Sequence, residues 1–166
     1  MMSSSIHDVL SAAVLTVSDS SSRGERDDHS GPAVAQALKK QNFTVVATRV
    51  VPDEPAAIRE ALVDLAGKAR LVTTTGGTGI AARDVTPEAT REVCERLVEG
   101  IAERMRSEGA KKTPLAALSR GVCGTRGNSL ILNLPGSPKG AVESLEAVID
   151  LLPHALQLLS GDTRHG

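Results

Sequence analysis

The 166-residue sequence has no tryptophan, no tyrosine and a single phenylalanine, Phe43. A core must therefore come from Ala, Val, Leu and Ile, and the chain lacks the aromatic platforms on which single-stranded nucleic acids stack. Charge of one sign is also missing. Nineteen Lys and Arg against twenty Asp and Glu leave a net charge of −1, too little for a global pull on DNA, RNA or an anionic membrane. Any anionic ligand has to be held locally, and neither nucleic acid nor membrane is an expected partner. The two cysteines, Cys94 and Cys123, show no CxxC spacing and no adjacent histidine cluster. That argues against a zinc site or a disulfide framework and for two reduced thiols in the cytoplasm. No apolar run approaches the roughly 20 residues of a membrane span. The opening MMSSSIHDVLSAAV has no basic stretch, so no signal peptide is expected. Absent too are GxGxxG and GxxxxGK[ST], which removes the Rossmann and P-loop labels, and GxSxG, which leaves serine-hydrolase chemistry unsupported.

What remains is an ordinary globular composition, 40% hydrophobic and 23% charged, of a length that suits one domain. A single domain over 1–166 is expected, with flexible tails at 1–8 and 161–166. AAVLTVS (12–18), FTVVATRVV (43–51) and RLVTTT (70–75) are short apolar, β-branched runs that predict buried strands. Between them lie helical patterns, one opening at Ser30 as N-cap before Pro32 and one carrying Ile58, Ala61, Leu62 and Leu65 and closing at Gly67. Alternation of strand and helix predicts parallel βαβ units. Thr86-Pro87-Glu88 predicts a further helix start, with Thr86 as the capping hydroxyl. Another amphipathic helix is expected over 101–112, a strand pair over 121–125 and 129–134, and a helix over 138–159 interrupted at Pro153.

In an open parallel sheet, ligands sit beyond the carboxyl ends of the strands. Four unusual loops fall there: 19–30, 52–55, 76–87 and 135–139. The third, TTTGGTGIAARDVTPEAT (73–90), sets three glycines within four positions before an arginine, an aspartate and a helix start. Such a turn offers free N–H groups and a positive dipole end to a phosphate, or is simply a tight turn. Asp84 beside a phosphate cradle makes sense if Mg²⁺ mediates, or if the carboxylate accepts two N–H bonds from a pterin or guanine edge. It equally suits a local pair with Arg83 or a turn cap. Asp53 has the alternative of capping the following helix. Asn133 to Lys139, NLPGSPK, is a second anion-binding candidate or an ordinary strand-to-helix turn. Asp27-Asp28-His29 is read as solvated loop, and His154 as structural.

These segments, TVSDS (16–20), DDHSG (27–31), VPDE (51–54), TTGGTG…RDVTPEAT (74–90), PLAALSRGVCGTRG (114–127) and LILNLPGSPKG (130–140), resemble the MogA/MoaB molybdopterin-binding family, above all its molybdopterin adenylyltransferases and the gephyrin G domain. The resemblance covers about residues 12–159. It implies a three-layer α/β/α sandwich with a mostly parallel central sheet, a homotrimer, and Mg²⁺- and ATP-dependent adenylation of the terminal phosphate of molybdopterin with release of pyrophosphate. Handover to a molybdenum-insertion protein of MoeA type is implied in turn. The family's two important aspartates fall on Asp53 and Asp84, the catalytic pair, with Asp84 as the Mg²⁺ ligand. Its glycine loop falls on Gly76, Gly77, Thr78 and Gly79. Asp19, Ser119, Ser129, Pro135, Gly136, Ser137 and Lys139 complete the expected substrate-binding set. Because the loop RGERDDHSG also resembles MoaB-type members, a non-catalytic molybdopterin-binding or carrier protein is the alternative.

Overall fold

The computed structural model describes residues 10–161. Of the two expected tails, 1–8 and 162–166 lie outside those residues. Strands β1 (Ser11–Val17), β2 (Thr44–Val51), β3 (Leu71–Thr75), β4 (Arg96–Leu97), β5 (Cys123–Arg126) and β6 (Ser129–Leu134) form one sheet in the order β2-β1-β3-β6-β5-β4. The first four strands in that order run parallel, and β5 and β4 extend the sheet with antiparallel pairings. The expected three-layer, mostly parallel architecture is what forms.

Side chains on successive strand residues alternate faces, and both faces of β1 are buried. Ala12 and Val14 join Leu38, Leu132, Leu145 and Leu152 on one side, whereas Ala13, Leu15 and Val17 join Ile58, Leu62, Leu65 and Ile131 on the other. Over the first face pack α2 (Ser30–Lys40), α5 (Glu99–Ala110), α6 (Pro138–Val148) and α7 (Leu152–Leu159); over the second pack α3 (Pro55–Ala66) and α4 (Thr86–Val93). A short helix, α1 (Asp19–Ser22), follows β1, and 3₁₀ turns occupy Pro114–Leu118 and Ile149–Leu151. Pro153 therefore follows a break between two helices rather than interrupting one, standing in the first turn of α7, where its missing N–H costs nothing.

Three local expectations are corrected by tertiary partners. Ser30 is the first residue of α2, not its cap, and its hydroxyl meets that of Thr75 at 2.6 Å. Thr86 is likewise the first residue of α4, and its hydroxyl donates to the Gly76 carbonyl at 3.0 Å. Asp28 is not simply solvated: its carboxylate accepts from the Thr16 hydroxyl at 2.7 Å and from the Gly31 amide at 3.0 Å. Buried polar groups need partners, and here the Thr75 and Thr16 hydroxyls, the Gly76 carbonyl and the Gly31 amide find theirs in these side chains.

The chain passes from β1 outward to β2 and then back across to β3, so the loops after β1 and β3 diverge at a topological switch point, where such sheets bind ligands. Gly76, at the end of β3, sits so close to the Val17 carbonyl that any Cβ would collide with it.

Candidate active site

Beyond β3 the backbone turns through two successive positive-φ glycines, Gly76 at 97° and Gly77 at 70°. Only glycine takes this conformation without strain. Gly77 has no room for a side chain either, because a Cβ there would strike the Thr86 hydroxyl. The carbonyls of this turn are all engaged. Gly76 O accepts from the Thr86 hydroxyl at 3.0 Å and Gly77 O from the Thr86 amide at 3.1 Å. Thr78 O accepts from the Arg120 amide at 2.8 Å and Gly79 O from Arg120 Nε at 2.8 Å. Among the described residues no peptide bond is cis, and in a trans peptide the N–H points opposite to the preceding C=O. The amides of Gly77, Thr78, Gly79 and Ile80 are thus turned away from these partners, and none donates to a protein acceptor among the described residues. Four unspent donors on one turn are an anion cradle.

The cradle opens on a cleft of about 770 Å³, within the range of small-molecule sites. Gly77, Thr78, Gly79 and Asp84 form one wall. Pro135, Gly136 and Ser137 form a second, where the Ser137 hydroxyl caps α6 by accepting from the Gly140 amide at 3.1 Å. Met105, Leu115 and Leu118 supply apolar surface, and Ser119 stands beside them. Two loops distant in sequence therefore approach each other: a Cβ on Gly136 would lie 3.4 Å from the Gly76 Cα.

Behind the cradle stands a group of acids. A Cβ on Gly77 would lie 3.3 Å from Asp53 Oδ1, and one on Gly79 would lie 2.8 Å from Asp84 Oδ2. Asp53 Oδ2 accepts from the Asp19 amide and Asp19 Oδ1 from the Asp53 amide, each at 2.9 Å. Asp84 Oδ2 accepts from the Ala81 amide at 3.0 Å, so the local turn cap and the site position coexist. Burial pushes the Asp53 carboxyl above its ordinary value, and the neighbouring Asp19 and Asp84 charges add to the rise against the bond from Asp19. Asp19 moves the other way, held ionised by the Asp53 amide and by Arg83. The two shifts differ because Asp53 is shielded from solvent, whereas Asp19 has Arg83 on it at 2.9 Å. Arg83 also binds Glu54 at 3.0 Å and does not pair with Asp84.

The expected site residues divide. Gly77, Thr78, Gly79, Asp84, Ser119, Pro135, Gly136 and Ser137 line the cleft, while Gly76, Asp19 and Asp53 adjoin it through the glycine turn. Lys139 is exposed in the first turn of α6 and is not among the lining residues. Ser129 is misplaced by the sequence reading. It begins β6, next to the start of β3, and its buried hydroxyl lies 2.8 Å from both Ala66 O and Ala69 O. Six residues of strand, on the order of 16 Å, separate it from the carboxyl edge. Sequence reading missed Arg120, whose guanidinium reaches Gly79 O, Asp84 O at 2.7 Å and the Glu88 carboxylate at 2.6 Å. The block PLAALSRGVCGTRG contained it, but nothing in the local pattern tied that arginine to a loop some forty residues earlier.

The fold and the cleft define a three-layer α/β protein with an anion cradle and an acid pair at the switch point of its sheet. A family model described as "Probable molybdopterin binding domain" matches residues 13–154, and the chain belongs to that molybdopterin-binding family. It is 42% identical over 153 residues to a molybdopterin adenylyltransferase of Helicobacter pylori, covering 90% of this chain and 87% of the relative. To the molybdopterin adenylyltransferase of Escherichia coli K12 it is 40% identical over 168 residues, covering 92% and 86%. Among solved structures, the molybdopterin biosynthesis enzyme MoaB of Thermus thermophilus superposes with a TM-score of 0.86 at 56% identity, covering 91% of this chain and 96% of that one.

Proposed function

We propose that this protein is a molybdopterin adenylyltransferase of molybdenum cofactor biosynthesis, joining ATP and molybdopterin in the cleft at the carboxyl edge of the sheet. The observation that carries the reading is the glycine turn, where the carbonyls of Gly76, Gly77, Thr78 and Gly79 are bound by Thr86 and Arg120 while the amides of Gly77, Thr78, Gly79 and Ile80 are left to a ligand. Phosphoryl and nucleotidyl transfer depends on positioning reactants and neutralising charge, and backbone donors fixed before the ligand arrives supply both. A terminal phosphate oxygen of the pterin attacks the α-phosphorus of ATP. The bond from that phosphorus to the β-phosphate oxygen breaks, a phosphoanhydride forms, and pyrophosphate leaves with its electron pair. No group on the protein has to become covalently attached.

The acids behind the cradle suit a divalent cation. Asp53 Oδ1 and Asp84 Oδ1 accept from no protein donor among the described residues, and Arg83 is already taken by Asp19 and Glu54. No group of three or more His, Cys, Asp or Glu is gathered as a metal nest among the described residues. Mg²⁺ uses one or two carboxylates and completes its shell with phosphates and water. Asp84 and Asp53 would hold it, and it would supply charge neutralisation on the transferring phosphates. Arg83, between Gly79 and Asp84 in the chain, would offset charge on departing pyrophosphate by exchanging its partners Asp19 and Glu54. Lys139 is a weaker candidate for that role. Ser119 and the α6 cap at Ser137 face the same cleft and contribute hydroxyl contacts; the apolar wall of Met105, Leu115 and Leu118 takes the less polar body of the substrate.

We further propose a single domain acting as a homotrimer in the cytoplasm, with product delivered to a MoeA-like insertion protein. Light scattering should give three times the chain mass. Among the described residues no helix is long and apolar enough to cross a membrane. Incubation with ATP, Mg²⁺ and molybdopterin tests the activity. Adenylylated pterin and pyrophosphate are expected, and pterin bound without either product would make the protein a carrier.

A further inference from the structure

The glycine turn is held by two separate clamps, and only one of them belongs to its own segment. Thr86, at the start of α4, fixes the carbonyls of Gly76 and Gly77. The carbonyls of Thr78, Gly79 and Asp84 are all fixed by one residue from a distant part of the chain, Arg120, through its amide at 2.8 Å, its Nε at 2.8 Å and a terminal nitrogen at 2.7 Å. The remaining guanidinium donors reach Glu88 at 2.6 and 3.3 Å, anchoring the fork to the first turn of α4. Arg120 is not among the residues that line the cleft; its guanidinium is directed to Gly79 O, Asp84 O and Glu88.

We propose that Arg120 is the positioning residue of the cradle. Its backbone amide holds the Thr78 carbonyl whatever the side chain; its guanidinium, by holding the Gly79 carbonyl, aims the Ile80 amide at the bound phosphate, and by holding the Asp84 carbonyl it fixes the backbone from which the Asp84 carboxylate projects. A guanidinium can do this because its donors are spread in a rigid planar fork; an ammonium is a single point that cannot reach Gly79 O, Asp84 O and Glu88 together. A purely structural arginine would lower stability alone. A positioning one lowers the rate at constant fold, because reacting groups displaced by about 1 Å lose on the order of 100-fold. The inference rests on the adenylyltransferase reading for its kinetic arm only.

The test compares Arg120→Lys and Arg120→Ala with the unmodified full chain in two measurements: adenylation of molybdopterin by ATP and Mg²⁺, and calorimetric titration with inorganic pyrophosphate. Expected are native melting temperatures to within a few degrees, kcat reduced about 30- to 100-fold in both variants, weaker pyrophosphate binding, and partial recovery of Arg120→Ala by added guanidinium at concentrations that leave the unmodified protein unaffected. If Arg120→Ala fails to fold, Arg120→Lys decides alone, since it keeps the charge and the aliphatic stem. Either variant folded and within threefold of the unmodified protein in both measurements overturns the proposal, as does a loss that tracks melting temperature and ignores guanidinium. If the unmodified protein forms no adenylylated product, that failure belongs to the activity, and the pyrophosphate titration by itself decides the role of Arg120.

Discussion

Asp19 and Asp53 exchange hydrogen bonds across 34 positions of sequence, each backbone amide donating to the other's carboxylate at 2.9 Å. The exchange ties the loop after β1 to the loop after β2 and presses the Asp53 carboxyl against the glycine turn. Its two members end up with opposite ionisation tendencies, Asp53 raised by burial and Asp19 lowered by the Asp53 amide.

This asymmetry predicts the acid limb of the pH–rate profile. Asp53 must ionise to act, and its folded pKa lies above the ordinary 3.8, so kcat/KM should fall, as pH drops, earlier than a free aspartate would dictate. Raising Mg²⁺ should move that limb to lower pH, because a bound cation favours the carboxylate. The sign for stability is the reverse of the usual aspartate. A carboxyl whose pKa is raised on folding loses stability for the protein as pH climbs from 3.8 through its folded value, and the loss persists above it. Asp53→Asn should therefore gain in melting temperature relative to the unmodified protein between about pH 4 and pH 7, while losing activity. An acid limb unmoved by Mg²⁺ would remove Asp53 from the metal-facing pair.

Gly76→Ala and Gly77→Ala should each destabilise by about 2–4 kcal/mol, combining a left-handed backbone cost with a Cβ that has no space. The obstructing atoms are the Val17 carbonyl for Gly76 and the Thr86 hydroxyl for Gly77. Gly24, also at positive φ but with open space around it, should cost less under the same change. Urea midpoints for the three variants check the ranking.

Much of this arrangement was legible in the sequence. The β-branched runs and helical spacings gave β1, β2, β3, β6 and their crossover helices to within a residue or two, because those elements bury regular apolar patterns on both sheet faces. Not legible were β4, only two exposed residues long, and the true partners of Ser30 and Thr86, whose hydroxyls fit the capping pattern but serve neighbouring strands and loops. Asp53, Asp84 and the glycines stood out by residue type. Arg120 did not, since its function depends on a fold contact and its immediate sequence carries no distinguishing pattern. Ser129 was misjudged for a related reason: proximity to the cleft segment in sequence placed it at the wrong end of β6.

Ser129→Ala provides the corresponding control. Removing its hydroxyl from the Ala66 and Ala69 carbonyls should cost about 1–3 kcal/mol in stability and leave kcat and KM unchanged. A selective rise in KM for either substrate would return Ser129 to the site.

Asn133 is the converse case, a buried residue at the cleft whose side-chain polar atoms are all bound within the protein. Its Oδ1 accepts from the Val122 amide at 3.1 Å, and its Nδ2 donates to Thr74 and Thr90 at 3.1 and 3.0 Å. Asn133→Leu strands three polar partners and should destabilise by about 3 kcal/mol or more, read from thermal unfolding.

The amides of Gly77 to Ile80 and the acids behind them serve nucleotidyl transfer in this account. Mass spectrometry of the protein incubated with ATP, Mg²⁺ and molybdopterin tests it most directly, beside the Asp84→Asn variant. Adenylyl-molybdopterin and stoichiometric pyrophosphate are expected from the unmodified chain, and bound but unmodified pterin from Asp84→Asn. Equal turnover by Asp84→Asn, or no adenylylated product from either protein, would contradict it.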